Sequence, residues 1–585
     1  MSKTASTKIS LIQPYRIKFI YLILAVVVCA LIWRVLDLQV FNNEFLKGQG
    51  NARVLRQLEV TAHRGMITDR NGYPLAISTP ISSIWINPKE FDAENKKIYQ
   101  LARLLKLNSQ YIKNKVKKRA SKEFVYIKRR INPDLAQRIM NLSVKGVHIQ
   151  REYRRYYPDG EVFGHVLGFT DVDDNGQEGM ELAYNEWLGG ESGSKRVVKD
   201  RLGRIISIEE QIKFPEPGKN LSLSLDRRIQ YLAYKALKKA VQKHKAKSGS
   251  VVVMDIEKGE VLAMANQPGF NPNRLQDRKS KLYRNRAITD LFEPGSTMKP
   301  ISIAAALNSG RYSPATQIKT GDGWFMINGK TIRDTHAYGT IDVTTVIQKS
   351  SNVGTSKIAL NLPKSMLWDT YYSFGFGNDT GSGFPGESSG RLERPRRVSK
   401  IEQAALSFGY GMSVTNLQLT NAYSIIARQG KKLPVTFLRQ SEDNSAKEES
   451  TIEGRTLVSA RSLKQVSKMM EGVVKQGGTA PQAAVTGYKV AGKTGTVKKA
   501  SRSGGYTKKK YSAVFAGFAP ASNPKFAIVV MIDEPNNGDY YGGLVAAPTF
   551  STVMSGALRL FNIDPDDISQ PDIVSQVEES IGRQG

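Results

Sequence analysis

Three kinds of apolar pattern alternate along the chain. The first is an uninterrupted run, "FIYLILAVVVCALIW" from Phe19 to Trp33, which carries no charge. With Arg34 able to snorkel and "VLDLQV" continuing it, the run is long enough to cross a bilayer as one helix. The second is helical spacing, in "IYQLARLLKL" (98–107) and "LDRRIQYLAYKALKKAVQKH" (225–244), each of which predicts an amphipathic helix. The period then shortens. "SGSVVVMDIEKGEVLAMAN" (248–266) reads as two apolar strands joined by a Lys258-Gly259 turn, and "YSAVFAGFAP" and "KFAIVVMIDEP" supply two more after residue 510.

Strands at both ends of a largely helical middle imply one antiparallel sheet assembled from segments far apart in sequence. That is an α/β (α+β) domain with a helical insertion, over 221–565. The region before it, 41–220, is richer in charge and holds two phrases of interest. "RGMITDRNGYPLA" (64–76) predicts a hairpin turning on Asn71-Gly72. "YYPDGEVFGHVLGFT" (156–170) followed by "GQEGMELAYNEWLGGESG" (176–193) predicts short strands punctuated by glycine and one helix, Met180 to Leu188. Ser441 to Arg455 and Lys498 to Lys510 read as mobile polar loops, and 566–585 as a disordered tail.

Charge gives this plan a direction. Lys3, Lys8, Arg16 and Lys18 precede the apolar run, so the positive-inside rule leaves residues 1–18 cytoplasmic, anchors the chain through 19–40 and exports the rest. A cleaved signal peptide is the alternative, but no small-x-small site follows Trp33, and Val28 disfavours a lipidated Cys29. The formal charge of +32, from 85 basic and 53 acidic residues, favours an anionic partner. Export argues against nucleic acid and turns that charge toward the membrane or the wall. Its densest stretch, Lys96 to Arg130, holds thirteen Lys and Arg against Glu123 alone; a solvated basic face is the simpler reading, a binding patch the other.

Cys29 is the only cysteine, which removes disulfides and thiol catalysis from the exported part. His63, His148, His165, His244 and His336 show no metal-like spacing, and no metal or cofactor is expected. Candidate chemistry lies instead in "FEPGSTMKP" (292–300). Pro294-Gly295 break the chain, Ser296 sits at the start of a helix running through "STMKPISIAAAL", and Lys299 shares its face, within reach of the hydroxyl. A neutral Lys299 could serve as base if desolvation or a second cation lowers its pKa. Alone, the pair is equally an N-capping serine beside an ordinary lysine.

Two further phrases change that reading: "KSSNVG", with Ser350, Ser351 and Asn352, and "AGKTGTV", with Lys493, Thr494, Gly495 and Thr496. In order and spacing the three resemble the Ser-x-x-Lys, Ser-x-Asn and Lys-Thr-Gly set of penicillin-binding proteins and serine β-lactamases. In that setting Ser296 is the nucleophile and Lys299 its base. Ser350 can relay a proton to the leaving amine, Asn352 can bind the substrate amide, and Lys493 supplies the second cation. Thr494 and Thr496 hydroxyls can hold a carboxylate, Gly495 leaves the strand bare for a peptide to pair alongside, and the amides of Ser296 and Thr496 form an oxyanion hole.

The resemblance covers nearly the whole chain and is to class B penicillin-binding proteins. It implies a short tail, one membrane helix, an elongated non-catalytic pedestal over 41–220 and a transpeptidase domain that cross-links peptidoglycan stem peptides. "SSN", "SFGYGMSVTNLQL" (407–419) and "YYGGLVAAPTF" (540–550) are similar to the septal, FtsI-type branch, with the elongation-specific branch as alternative. Asn416 departs from it, standing where the family usually has proline. The implied donor ends in D-Ala-D-Ala, β-lactams are covalent inhibitors, and Tyr541 and Gly542 lie at the rim of the groove. An FtsW-type glycan polymerase and other divisome proteins are the implied partners. A penicillin-binding sensor that transfers nothing, or a hydrolase, would share the same three motifs.

Overall fold

The computed structural model describes residues 14–46, 48, 55–199, 205–393, 398–440, 456–500 and 506–567. Residues 1–13, the polar stretch 441–455 and the tail from 568 onward lie outside the described residues. The apolar run forms helix α1 (Pro14–Leu36), about 35 Å long at 1.5 Å per residue, against a hydrocarbon core of about 30 Å. It continues through a π-helical turn, and within the span Tyr15–Phe41 an 18-residue window has a mean hydropathy of 2.7, none of it buried. Arg34 is paired with Asp37 at 2.7 Å where the α-helix ends.

Beyond the anchor the chain divides into two compact units, one holding residues up to His63, 80–152 and 191–216, the other 64–79, 153–190 and 217 onward. The first quoted phrase, and the second up to Gly190, thus fold with the C-terminal domain rather than with the rest of 41–220.

The first unit is built from β1 (Leu55–Val60), the part of β2 (Pro74–Ile86) from residue 80 onward, α2 (Lys97–Leu105), α3 (Ser109–Lys117), β3 (Val125–Ile131), α4 (Pro133–Asn141), β4 (Val147–Tyr156) up to residue 152, β5 (Gly193–Lys199) and β6 (Ile205–Lys213). The apolar stripe of "IYQLARLLKL" is why α2 forms: Ile98, Leu101 and Leu105 bury against Ile84, Ile86 and Val125 of the sheet. Asn108 and Asn132 cap α3 and α4, each accepting a backbone N–H two residues on. Lys117, Lys118, Arg119 and Lys122 stay exposed.

In the second unit the expected hairpin is present: Ile67 pairs with Ala76 and Thr68 with Pro74. Gly72 adopts φ +84°, and the Asp69 carboxylate accepts the N–H of Asn71 and of Tyr73, both at 2.8 Å. The helix expected over Met180–Leu188 is instead two short ones, Gly179–Ala183 and Asn185–Gly189, broken at Tyr184. At the break the Asn185 side-chain Oδ1 accepts from Arg64 and from the Gly176 N–H. Beside it, buried Glu181 joins the two phrases through ion pairs to Arg64 at 2.7 Å and Arg155 at 2.6 Å.

The rest of this unit follows the order strands, helices, strands: α5 (Arg227–Lys243), β7 (Ser248–Asp255), β8 (Val261–Gln267), α6 (Lys299–Asn308), β9 (Trp324–Ile327), β10 (Lys330–Arg333), α7 (Asn352–Leu360), α8 (Asn416–Ala427), α9 (Ala460–Val474), β11 (Ala491–Ala500), β12 (Tyr506–Ala519), β13 (Phe526–Asp533) and α10 (Ala547–Leu560). The sheet order is β8-β7-β13-β12-β11, antiparallel throughout, which leaves β11 at an edge. Every residue of β7, β8 and β13 is buried, which is why these strands read as continuous apolar runs rather than as an alternation.

Two expectations are revised here. The flanks of Lys498 to Lys510 are strand, with Ala500 opposite Tyr506, because carboxylates at the end of β13 neutralise their lysines. Lys499 contacts Asp533 and Glu534, and Lys510 contacts Glu534; only 501–505 lies outside the described residues. Asn416, at the first position of α8, is buried and donates to Ser250 Oγ at 2.8 Å. The amide thus ties α8 to β7 where a proline could only pack.

Candidate active site

Ser296 lies in a 3-10 turn, Gly295–Met298, that leads into α6, one turn earlier than the helix start expected for it. Gly295 has φ +57°, and its N–H bonds the carbonyl of Gly409 at 3.1 Å. A Cβ on Gly295 would meet Val497 Cγ2 at 2.3 Å, and one on Gly409 would meet Gly295 O at 2.2 Å. The serine's turn is therefore wedged between the Gly409 loop and β11, with Tyr423 of α8 donating to Thr297 O at 2.8 Å.

Lys299, fully buried, donates to the Ser350 carbonyl at 2.5 Å and to Asn352 Oδ1 at 2.7 Å, with Ser350 Oγ at 3.1 Å. Carbonyl and amide oxygens only accept. The three N–H groups of the ammonium match these three oxygens; in the neutral amine two N–H groups keep two of them and the third position becomes a lone pair. Among the described residues Lys299 and Ser296 make no direct hydrogen bond. Burial takes the Lys299 ammonium down from its ordinary 10.5 to about 7. Lys493, also fully buried, is lowered well below its ordinary value too, by burial first and then by the charge of Lys299. Desolvation, more than the expected second cation, is thus what makes Lys299 a base near neutrality.

Ser350 holds φ +58°, a left-handed conformation that non-glycine residues rarely adopt without support. It precedes α7, whose N-cap Ser351 accepts from Gly354 N at 2.8 Å. Asn352 donates to Arg333 O at 3.0 Å; its second N–H remains available for a substrate carbonyl.

Along β11, the Cβ position of Gly495 lies 3.0 Å from both Pro294 O and Thr297 Cγ2. Glycine there lets the Ser296 turn approach closely without crowding, a reason distinct from the bare strand expected. Thr494 Oγ1 shares a hydrogen bond with Thr479 Oγ1 at 3.0 Å, and Thr496 Oγ1 accepts the Gly542 N–H at 3.0 Å. A Cβ on Gly542 would lie 2.3 Å from Val514 O, so this glycine is packed against the sheet. Its neighbour Tyr541, 47% exposed, stacks on Tyr540, which stacks on Tyr511, with ring centres 4.5 and 4.3 Å apart. Sequence reasoning missed Thr479, which sits in no recognisable phrase, and Asp334, whose carboxylate accepts from Ser351 Oγ at 2.5 Å and Val353 N at 2.9 Å. Among the described residues no three His, Cys, Asp or Glu side chains converge as a metal site requires.

Known proteins resemble this chain over both of its domains. Residues 249–555 match the penicillin binding protein transpeptidase domain and residues 59–223 the penicillin-binding protein dimerisation domain. The chain is 42% identical over 562 residues to the peptidoglycan D,D-transpeptidase FtsI of Escherichia coli K12, covering 94% of each. It is 41% identical to the probable peptidoglycan D,D-transpeptidase PenA of Neisseria meningitidis serogroup A, covering 94% of this chain and 93% of that one. Among solved structures, the apo transpeptidase domain of Burkholderia pseudomallei penicillin-binding protein 3 aligns with 41% identity and a TM-score of 0.53, covering 59% of this chain and 97% of that one. With near-complete coverage of such relatives and matches to both domains, the chain belongs to the class B penicillin-binding proteins.

Proposed function

We propose that the protein is a peptidoglycan D,D-transpeptidase of the FtsI type, cross-linking stem peptides during septal wall synthesis and acylated by β-lactams. The observation that carries this is the buried Lys299 amine, held against Ser350 and Asn352 and brought by burial to about 7, where it can take a proton near neutral pH.

In the proposed sequence Ser296 Oγ attacks the carbonyl of the penultimate D-Ala while its proton passes to Lys299. The oxyanion is held by the backbone N–H groups of Ser296 and Thr496. The C–N bond breaks, terminal D-Ala leaves as an amine after receiving the proton through Ser350, and the acyl group stays on Ser296. An amine of a neighbouring stem peptide then attacks the ester, giving its proton back through the same lysine and regenerating the serine. Asn352 orients the donor amide, and Thr494 and Thr496 hold its terminal carboxylate near Lys493. Gly495 lets the nucleophile's turn approach, and Tyr541 and Gly542 form the wall.

The single apolar span and the positive residues before it support an inner-membrane anchor with a cytoplasmic N-terminus and a periplasmic catalytic domain over 221–565. An FtsW-type polymerase would supply the glycan strands. Fluorescent penicillin incubated with the purified protein should label Ser296 stably, as located by mass spectrometry, and Ser296→Ala should fold normally and lose the label. Retained labelling of that variant overturns the assignment.

A further inference from the structure

The hairpin β9–β10 ends at Arg333 and Asp334, immediately against the Ser350-Ser351-Asn352 turn, and three hydrogen bonds join them. Arg333 O accepts from Asn352 Nδ2 at 3.0 Å, and the two carboxylate oxygens of Asp334 accept separately from Ser351 Oγ and Val353 N. The hairpin is itself seated by Ile327 and Ile332, which pack on Val353 and Ala404, and the Asp334 N–H is tied to Gly323 O at 2.7 Å. The turn it grips contains Ser350 at φ +58° and presents the acceptors that engage Lys299.

The geometry points to Asp334 as a positioning residue for acyl transfer: its carboxylate clamps the Ser350–Asn352 turn in its left-handed form and places a fixed negative charge behind the Lys299 amine. This rests on the roles given above to Ser296, Lys299, Ser350 and Asn352. Two features separate a clamp from an ordinary helix cap. Ser351 already caps α7 with its own side chain, so the helix does not need Asp334 for that bond. And both oxygens are used, one on the serine hydroxyl and one on a backbone amide, which only a carboxylate can match.

The charge acts on Lys299 in a stated direction. Burial lowers the affinity of Lys299 for its proton, and Asp334 opposes that effect. The other groups around the amine are accounted for. Lys493 on β11 is the neighbouring cation, and Ser350 and Asn352 are neutral. Tyr371 and Tyr423, packed beneath α6, are phenols that burial holds protonated. Lys349 points away to Gly477 O, and Lys468 and Glu471 of α9 pair with each other at the surface. Asp334 is the anion in this set that acts on Lys299. Removing its charge lets the lysine lose its proton more readily, so the acid limb of the acylation profile moves to lower pH.

The test is acylation of the full chain by a chromogenic cephalosporin, followed by stopped flow across pH 5 to 9, for wild type, Asp334→Asn and Ser351→Ala. Asp334→Asn keeps the size and one acceptor but loses the charge and the second acceptor. Its acylation rate constant at neutral pH should fall ~10- to 100-fold, with the initial binding constant little changed and the acid limb shifted downward. Ser351→Ala should slow acylation while leaving the limb where it is in wild type, and Asp334→Glu should restore the limb but only part of the rate. Wild-type rates in Asp334→Asn at every pH overturn the proposal. A slower Asp334→Asn with an unmoved limb, or a melting temperature that falls in step with the rate, reduces Asp334 to a structural cap and overturns it equally. Ser296→Ala separates this from the underlying reading: if that variant still acylates, the nucleophile assignment has failed. If it is silent while Asp334→Asn behaves as wild type, only the clamp has.

Discussion

Lys299 offers the sharpest prediction, because its burial fixes both a chemical and a thermodynamic consequence. Moving its titration from 10.5 to about 7 corresponds to about 5 kcal/mol against the charged form. The neutral fraction is then about a tenth at pH 6 and about nine tenths at pH 8, so the second-order acylation rate should rise about tenfold over that range and level off above it. A solvent-like lysine would give a rise of about a hundredfold over the same two units and no plateau below pH ~10. The assay is a pH series of stopped-flow acylation with a β-lactam whose own hydrolysis is subtracted, run beside Lys299→Arg. That variant cannot supply a neutral nitrogen and should lose on the order of a thousandfold. Folding obeys the same linkage. The folded amine gives up its proton near 7 and the unfolded one near 10.5, so between these values the unfolded chain binds more protons. Stability gains about 1.4 kcal/mol per pH unit from this site as pH rises, a slope that Lys299→Met should remove. Acylation that climbs with unit slope through pH 9, or a Lys299→Met stability curve parallel to wild type, would refute the argument.

Two further predictions concern packing. Glu181 is fully buried between Arg64 and Arg155, so Glu181→Ala leaves two buried guanidinium groups without it and should cost about 3–5 kcal/mol, read as the denaturation midpoint; a loss below about 1 kcal/mol contradicts a load on that ion pair. Gly495→Ala places a methyl 3.0 Å from Pro294 O and Thr297 Cγ2. It should displace the Ser296 turn and slow acylation on the order of 10- to 100-fold, with far less effect on melting; acylation at the wild-type rate would mean that the turn yields freely.

What could be read from the sequence was whatever repeats a period or a spacing. The apolar runs of β7, β8 and β13, the stripe of α5 and the Asn71-Gly72 turn are local patterns, and each was found where its pattern placed it. The three active-site phrases were legible as a set because their chemistry demands particular residues. The sequence carried no mark of relations that exist only after folding. Glu181 meets Arg64 across more than a hundred residues, Thr479 bonds Thr494 from an unremarkable loop, and Asp334 reaches the Ser351 turn through a hairpin with no distinctive spacing. Even at Gly495 the crowding comes from the approach of Pro294 and Thr297, which no one-dimensional pattern reports. The lysines after residue 497 misled for the same reason, since their counter-ions lie on β13.

The edge position of β11 also has a colloidal consequence. Among the described residues no backbone-to-backbone hydrogen bond reaches Lys493 to Lys498 from outside the sheet, so this border can accept any extended chain, another copy of the protein included. Charge guards it: exposed Lys498 stands at its far end, beside a Lys499 already neutralised by Asp533 and Glu534, and two molecules aligning these edges would bring the Lys498 charges together. Solubility at high concentration should therefore depend on Lys498, and a salt-dependent tendency to self-associate is the cost of leaving a strand open for a visitor.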